Sequence, residues 1–220
     1  MTSLSGMFSN ASSFNQNINS WDVSNVTSFS SMFSTASSFN QPLQDWDVSN
    51  VTNMSMMFFG TPFNQPINNW DVSNVTDMSS MFNLATSFNQ PLDNWDVSNV
   101  IDISNIFWNA SSFNHHLNDW ILSNVTNMKF MFWGASSFNR PLNNWDVSNV
   151  TDMRSMFRNA TSFDQPLYKW DVSSVTEMSR MFLLAGDFNQ DLSNWCVEQI
   201  PTEPTDFATN SALNNNYKPL

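Results

Sequence analysis

The chain has 220 residues, of which 41% are apolar and only 12% charged, so it can bury a core and lacks the charge-rich, aromatic-poor composition of a disordered segment. Its formal net charge is −12, and residues 1–128 carry nine Asp with no Lys or Arg before Lys129, which argues against nucleic acid as a partner and disfavours anionic membrane surfaces. Cys196 is the single cysteine, no apolar run reaches the roughly 18 residues of a membrane span, and the opening MTSLSGMF lacks a basic start and apolar stretch, so no internal disulfide, cysteine metal cluster, membrane insertion or signal peptide is expected.

A repeat organises the chain. Trp stands at 21, 46, 70, 95, 120, 145, 170 and 195, so the period is 25 with a single 24. The one-residue deletion falls near Gly60-Thr61. The unit reads WDVSNVTDMSSMFxxAxSFNQPLNN. The chain opens inside a unit, as a segment of a longer array or an array with a truncated first coil would. No single unit can bury its own apolar face, so stacking of units must drive folding.

Within a unit, Trp46-Asp47-Val48 alternates apolar, polar, apolar, which predicts one short strand. Val48, Val72 and Val97 should then form one buried column. Met78, Met81, Phe82 and Ala85 follow the i, i+3, i+4, i+7 spacing of one helix face, with Thr76 as N-cap and Asp77 in the first turn. Pro91 ends that helix, because it disfavours helix at Gln90. Recurrent Asn40, Asn64, Asn89, Asn114 and Asn139 are expected to form an amide ladder that satisfies turn backbone groups.

The resulting fold expectation is an α/β repeat. It is a right-handed, leucine-rich-repeat-like solenoid with one short parallel strand and one short helix per coil. The runner-up is a β-solenoid in which the Met-Phe segment is not a full helix. Residues 1–195 form the solenoid of about eight 25-residue repeats. Residues 196–220, where Pro201 and Pro204 block the usual helix, form a C-terminal cap.

The motifs FNQPL, WDVSNVT and MF at this period resemble the BspA-like, DUF285-type bacterial surface protein repeat family, over about residues 2–200. The resemblance implies a cell-surface or extracellular location and an adhesion-type binding role. It carries no catalytic residues. The coil around 101–121 departs from the pattern, with Ile101, Ile103, Ile106, His115, His116 and Ile121.

Catalysis has no signature here, since nucleophile elbow, phosphate loop, dinucleotide and zinc-protease patterns are all missing. His115 and His116 are neighbours in an extended segment and point apart, so they chelate poorly. Cys196 has no activating neighbour in view. No enzyme activity and no cofactor are expected.

Asp22, Asp47, Asp71 and Asp96 share one outward column, interrupted at Ile121 and resumed at Asp146 and Asp171. Their repulsion is offset either by turn hydrogen bonds, such as Asp47 with Ser49, or by calcium held between coils. The outward position after each Met-Phe pair reads Ser34, Phe59, Asn83, Trp108, Trp133, Arg158 and Leu183. Trp108 and Trp133 on adjacent coils, with Phe130, are the candidate partner-binding surface, for self-association or a ligand. The alternative is that they fold over the coil edge and extend the core.

Three functions follow. The first is a non-enzymatic, surface-exposed repeat module that binds protein or glycan. The second is a passive structural spacer in a longer surface protein. The third is a cation-dependent acidic scaffold.

Overall fold

The computed structural model describes residues 2–219. The chain stacks its repeats as coils, each bonded to the next about 25 residues on. Single-residue parallel bridges join Ser3 to Ser28, Ser28 to Asn53, Asn53 to Asp77 and Asp77 to Asp102, then Asn127 to Asp152 and Asp152 to Glu177. The only helix among the described residues is a 3-10 turn, Asn215–Tyr217.

The helix-and-strand solenoid expectation is therefore corrected. The Met-Phe segment is two successive tight turns. Met81 N–H donates to Met78 O at 3.2 Å, and Ala85 N–H to Phe82 O at 3.0 Å. The third residue of each turn, Ser80 and Leu84, has φ of 58° and 59°. Positive φ at that position marks a type II turn. An α-helix cannot pass through such residues, which cost about 1–2 kcal/mol each in left-handed geometry. The intervening N–H groups point out of the coil. Those of Met78, Ser80, Phe82 and Leu84 donate to the carbonyls of Asp102, Ser104, Ile106 and Trp108 at 2.7–3.0 Å. Half of the segment's donors thus tie one coil to the next, and the other half close its turns.

This geometry recurs along the chain. Gly6, Ser31, Met56, Ser80, Asn105, Phe130, Ser155, Arg180 and Asp206 share the first left-handed position. Asn10, Thr35, Gly60, Leu84, Asn109, Gly134, Asn159, Leu184 and Asn210 share the second.

The predicted strand at Trp46–Val48 is also absent. There the backbone bonds to its own neighbours. Ser49 N–H donates to Asp47 Oδ1 at 3.1 Å and Val51 N–H to Val48 O at 2.9 Å. Coil-to-coil contact at this corner runs through side chains instead, as in Asn50 Nδ2 to Ser24 O at 2.8 Å. The parallel pairing sits at the Asp77 column, where the sequence had suggested a helix start. Of the runner-up, the missing helix holds, but continuous strands do not form.

The inward positions read from the Val column and the Met-Phe spacing hold, and the Trp, second Phe and Leu of each coil join them. Trp70, Val72, Val75, Met78, Met81, Phe82, Ala85, Phe88 and Leu92 are all at most 3% exposed. Val48, Val72 and Val97 form the expected buried column. Phe rings stack within a coil, as Phe82 on Phe88 at 3.9 Å, and between coils, as Phe82 on Phe107 at 5.8 Å. A buried indole N–H needs an acceptor. Each core Trp meets that need in the coil before it, as Trp95 Nε1 does at Ile67 O, 3.0 Å away.

The Asn column forms its ladder. Each Asn Oδ1 accepts the backbone N–H of its successor, as Asn40 does from Asn64 at 2.8 Å and Asn64 from Asn89 at 2.9 Å. Residues beyond Cys196 make one further coil. Phe182 N–H donates to Phe207 O at 2.8 Å, and the Phe207 ring turns edge-on to Phe182 at 88°.

Candidate contact surface

The second turn of each coil places its corner residue at the outer rim, and this corner is the column holding Asn83, Trp108, Trp133 and Arg158. Stacking brings successive corners into contact. The Trp108 and Trp133 rings lie 4.5 Å apart at 11° to one another. Phe130, from the left-handed position before Trp133, sits 5.7 Å from Trp108 and 5.5 Å from Trp133. The Arg158 guanidinium from the next coil lies 4.3 Å from the Trp133 ring centre.

The three predicted contact residues are therefore assembled as one cluster, though not as an open apolar patch. Each is half-buried. Trp133 is sandwiched between Trp108 and Arg158, so its indole shows its edge more than its faces. Phe130 holds φ of 59°, an outlier for a bulky residue, and its N–H donates to Arg154 O at 2.9 Å. Two buried polar atoms in the corner column have no hydrogen-bond partner, Asn83 Oδ1 and Trp108 Nε1.

Of the cations around this cluster, sequence reasoning set only Arg158 in the corner column and missed Lys129, Arg154 and Arg180. Lys129 and Arg154 share one column on adjacent coils, Arg158 follows Trp133 in the corner column, and Arg180 stands in the Phe130 column one coil beyond Arg158. Arg154 pairs with Asp152 at 2.8 Å and Arg180 with Asp206 at 3.5 Å. The signal was available in the numbering, since the first basic residues of the chain fall at 129, 140, 154 and 158.

The cluster spans the one internal interruption in the bridge column among the described residues, between Asp102 and Asn127. Elsewhere a Thr hydroxyl bonds the preceding coil, as Thr76 Oγ1 does at Thr52 O, 3.2 Å away. Ile101 has no hydroxyl, and the coil that follows makes no backbone bond at Thr126 N–H. Of the residues that depart from the pattern, Ile101 and Ile121 are 59% and 60% exposed, whereas Ile103 and Ile106 are buried in the core.

In the acidic column, Asp22, Asp47 and Asp71 each accept both the N–H and the hydroxyl of the Ser two residues on, the hydroxyl at 2.6 Å. Asp96 accepts the Ser98 N–H at 3.0 Å. The Ser24, Ser49 and Ser98 hydroxyls, and then their N–H groups, hold Asp22, Asp47 and Asp96 below the usual carboxylate range. Among the described residues no three His, Cys, Asp or Glu side chains gather as a cation site. His115 Nε2 lies 3.0 Å from Asn89 O, at the position where Gln90 Nε2 reaches Asn64 Oδ1 in the coil before. Cys196 is exposed and unpaired in any disulfide. No helix among the described residues is long and apolar enough to cross a membrane.

No curated protein and no solved structure is significantly similar to the chain. One family model matches three times, over residues 1–62, 46–132 and 116–219, and is described as Mycoplasma protein of unknown function, DUF285. Overlapping matches of this extent follow from the repeat itself, and the chain belongs to the DUF285 family.

Proposed function

We propose that the chain is a non-enzymatic binding module of adhesion type, presented at the cell surface or outside the cell, that takes a protein or glycan partner on the Trp108–Phe130–Trp133 face. The observation that carries this reading is the cluster itself. Other aromatics also lie outside the core columns, such as Phe59 and Tyr168, but these three alone among the rim rings contact one another, beside buried polar atoms that lack partners. Trp and Arg anchors of this kind concentrate binding energy in interfaces. The surface location rests on the family resemblance. The absence of catalysis is supported by the chemistry of the column carboxylates, which are committed to turn hydrogen bonds.

The test is a glycan-array and host-protein screen of the purified chain beside a Trp108→Ser, Trp133→Ser variant. Binding that the variant loses, with its melting temperature nearly unchanged, supports the reading. A large loss of stability with binding intact makes the pair core residues and defeats it. The passive-spacer reading draws on the uniform Asn and Asp columns of the other coils, and a screen with no ligand favours it.

A further inference from the structure

We infer that the partner of this face is an acidic peptide segment, a step that rests on the binding-module reading above. Four of the seven basic residues of a chain of net charge −12 lie on three consecutive coils, from the cluster onward: Lys129, Arg154, Arg158 and Arg180. The carboxylates on the neighbouring positions of these coils are Asp102, Asp152, Glu177 and Asp206, of which Asp102 accepts the Ser104 N–H at 2.9 Å. Asp152 and Asp206 are engaged by Arg154 and Arg180, and Glu177 accepts the Ser179 N–H at 2.7 Å. Lys129 and Arg158 have no carboxylate partner among the described residues.

The unmet hydrogen-bonding needs are mostly donors. Arg154 Nε and Trp108 Nε1 are buried without acceptors, against the single unmet acceptor Asn83 Oδ1. Oxygen-rich anions answer that demand, and guanidinium groups favour carboxylates. A sugar ring stacks on an open aromatic face, but Trp133 has both faces taken, by Trp108 and Arg158. What Trp133 offers is its edge, flanked by cations. That suits a chain that alternates apolar and carboxylate side chains.

The probe is a synthetic peptide of alternating Glu and Leu, with a Lys-Leu counterpart and dextran sulfate as comparators. The Glu-Leu peptide should bind, weaken as salt is raised, and lose roughly tenfold in affinity in the Lys129→Gln, Arg158→Gln variant. A Lys169→Ala, Lys218→Ala variant, which removes two cations elsewhere, should bind as wild type does. No binding of the Glu-Leu peptide overturns the inference, as does equal binding of the Lys-Leu peptide. Dextran sulfate binding as tightly as the peptide overturns the choice of a peptide. If Trp108→Ser, Trp133→Ser abolishes binding while the Gln pair leaves it unchanged, the contact face stands and the acidic selectivity falls.

Discussion

Ser80 N–H donates to Ser104 O at 2.9 Å while Ser80 itself is held at φ 58°. The left-handed conformation aims that donor at the next coil, so local strain is exchanged for coil-to-coil bonding. Gly134, with φ 70°, and Gly60, with φ 63°, reach the same geometry without that strain, and their N–H groups donate to Arg158 O and Asn83 O at 2.8 Å. A methyl at Gly134 would meet Asn109 Oδ1 at 2.0 Å, whereas one at Gly60 finds only Thr35 Cγ2 at 3.6 Å. Gly60→Ala should cost about 1 kcal/mol, from backbone strain alone. Gly134→Ala should cost more, because Asn109 must also move. Equal losses in urea melts of the two variants would show that crowding at Asn109 is unimportant.

The indole column makes a second expectation. Trp95 is 3% exposed and donates to Ile67 O at 3.0 Å. Trp95→Phe keeps most of the ring but removes the donor, at a cost of about 1–3 kcal/mol. Trp21 is 37% exposed and makes no indole hydrogen bond to the protein among the described residues. Trp21→Phe should therefore change stability far less. A comparable drop at both positions would assign the column's value to ring packing alone.

Burial was legible in the sequence, and backbone path was not. Met78, Met81, Phe82 and Ala85 point inward as their spacing indicated. Two type II turns, each advancing four residues, reproduce the helix spacing without any helix. The sequence did hold a hint, because Gly6, Asn105, Gly60, Asn109, Gly134 and Asn159 fall at the left-handed positions, where Gly and Asn are favoured. Ser80, Leu84 and Phe130 at equivalent positions hid it. The aromatic cluster was legible because Trp108 and Trp133 are 25 apart. Its closed, stacked form was not, because Arg158 reads as one more surface cation until the coils are superposed.

The interrupted bridge beside Ile101 should register in amide exchange. Ile103 and Thr126 N–H have no backbone acceptor, whereas Met78 N–H reaches Asp102 O at 2.9 Å and Thr151 N–H reaches Thr126 O at 2.8 Å. Ile103 and Thr126 should exchange faster than Met78 and Thr151, since protection follows hydrogen bonding and local opening. Uniform protection across the four amides would mean that the two halves open as one unit.

The acidic column sets the pH response. Asp22, Asp47, Asp96, Asp146, Asp171 and Asp191 are held below their ordinary value, first by a Ser hydroxyl and then by that Ser N–H. A carboxylate with a depressed folded value binds its proton more readily when unfolded. Its stabilisation is therefore full above the unfolded value of about 3.9 and is lost as pH falls through the lower folded value. Melting temperature should hold steady from neutral pH down to about 4 and fall below it. Replacing Ser24, Ser49, Ser148 and Ser173 together with Ala removes the hydroxyl donors, so the variant should be less stable at neutral pH and lose less on acidification. The Asp47 Oδ1 that accepts Ser49 at 2.6 Å is also the atom a bridging cation would compete for. Calcium should thus give no heat on titration, and a chelator should leave the melt in place. A calcium-dependent rise in melting temperature, lost in Asp47→Asn with Asp71→Asn, would instead make the column a cation scaffold.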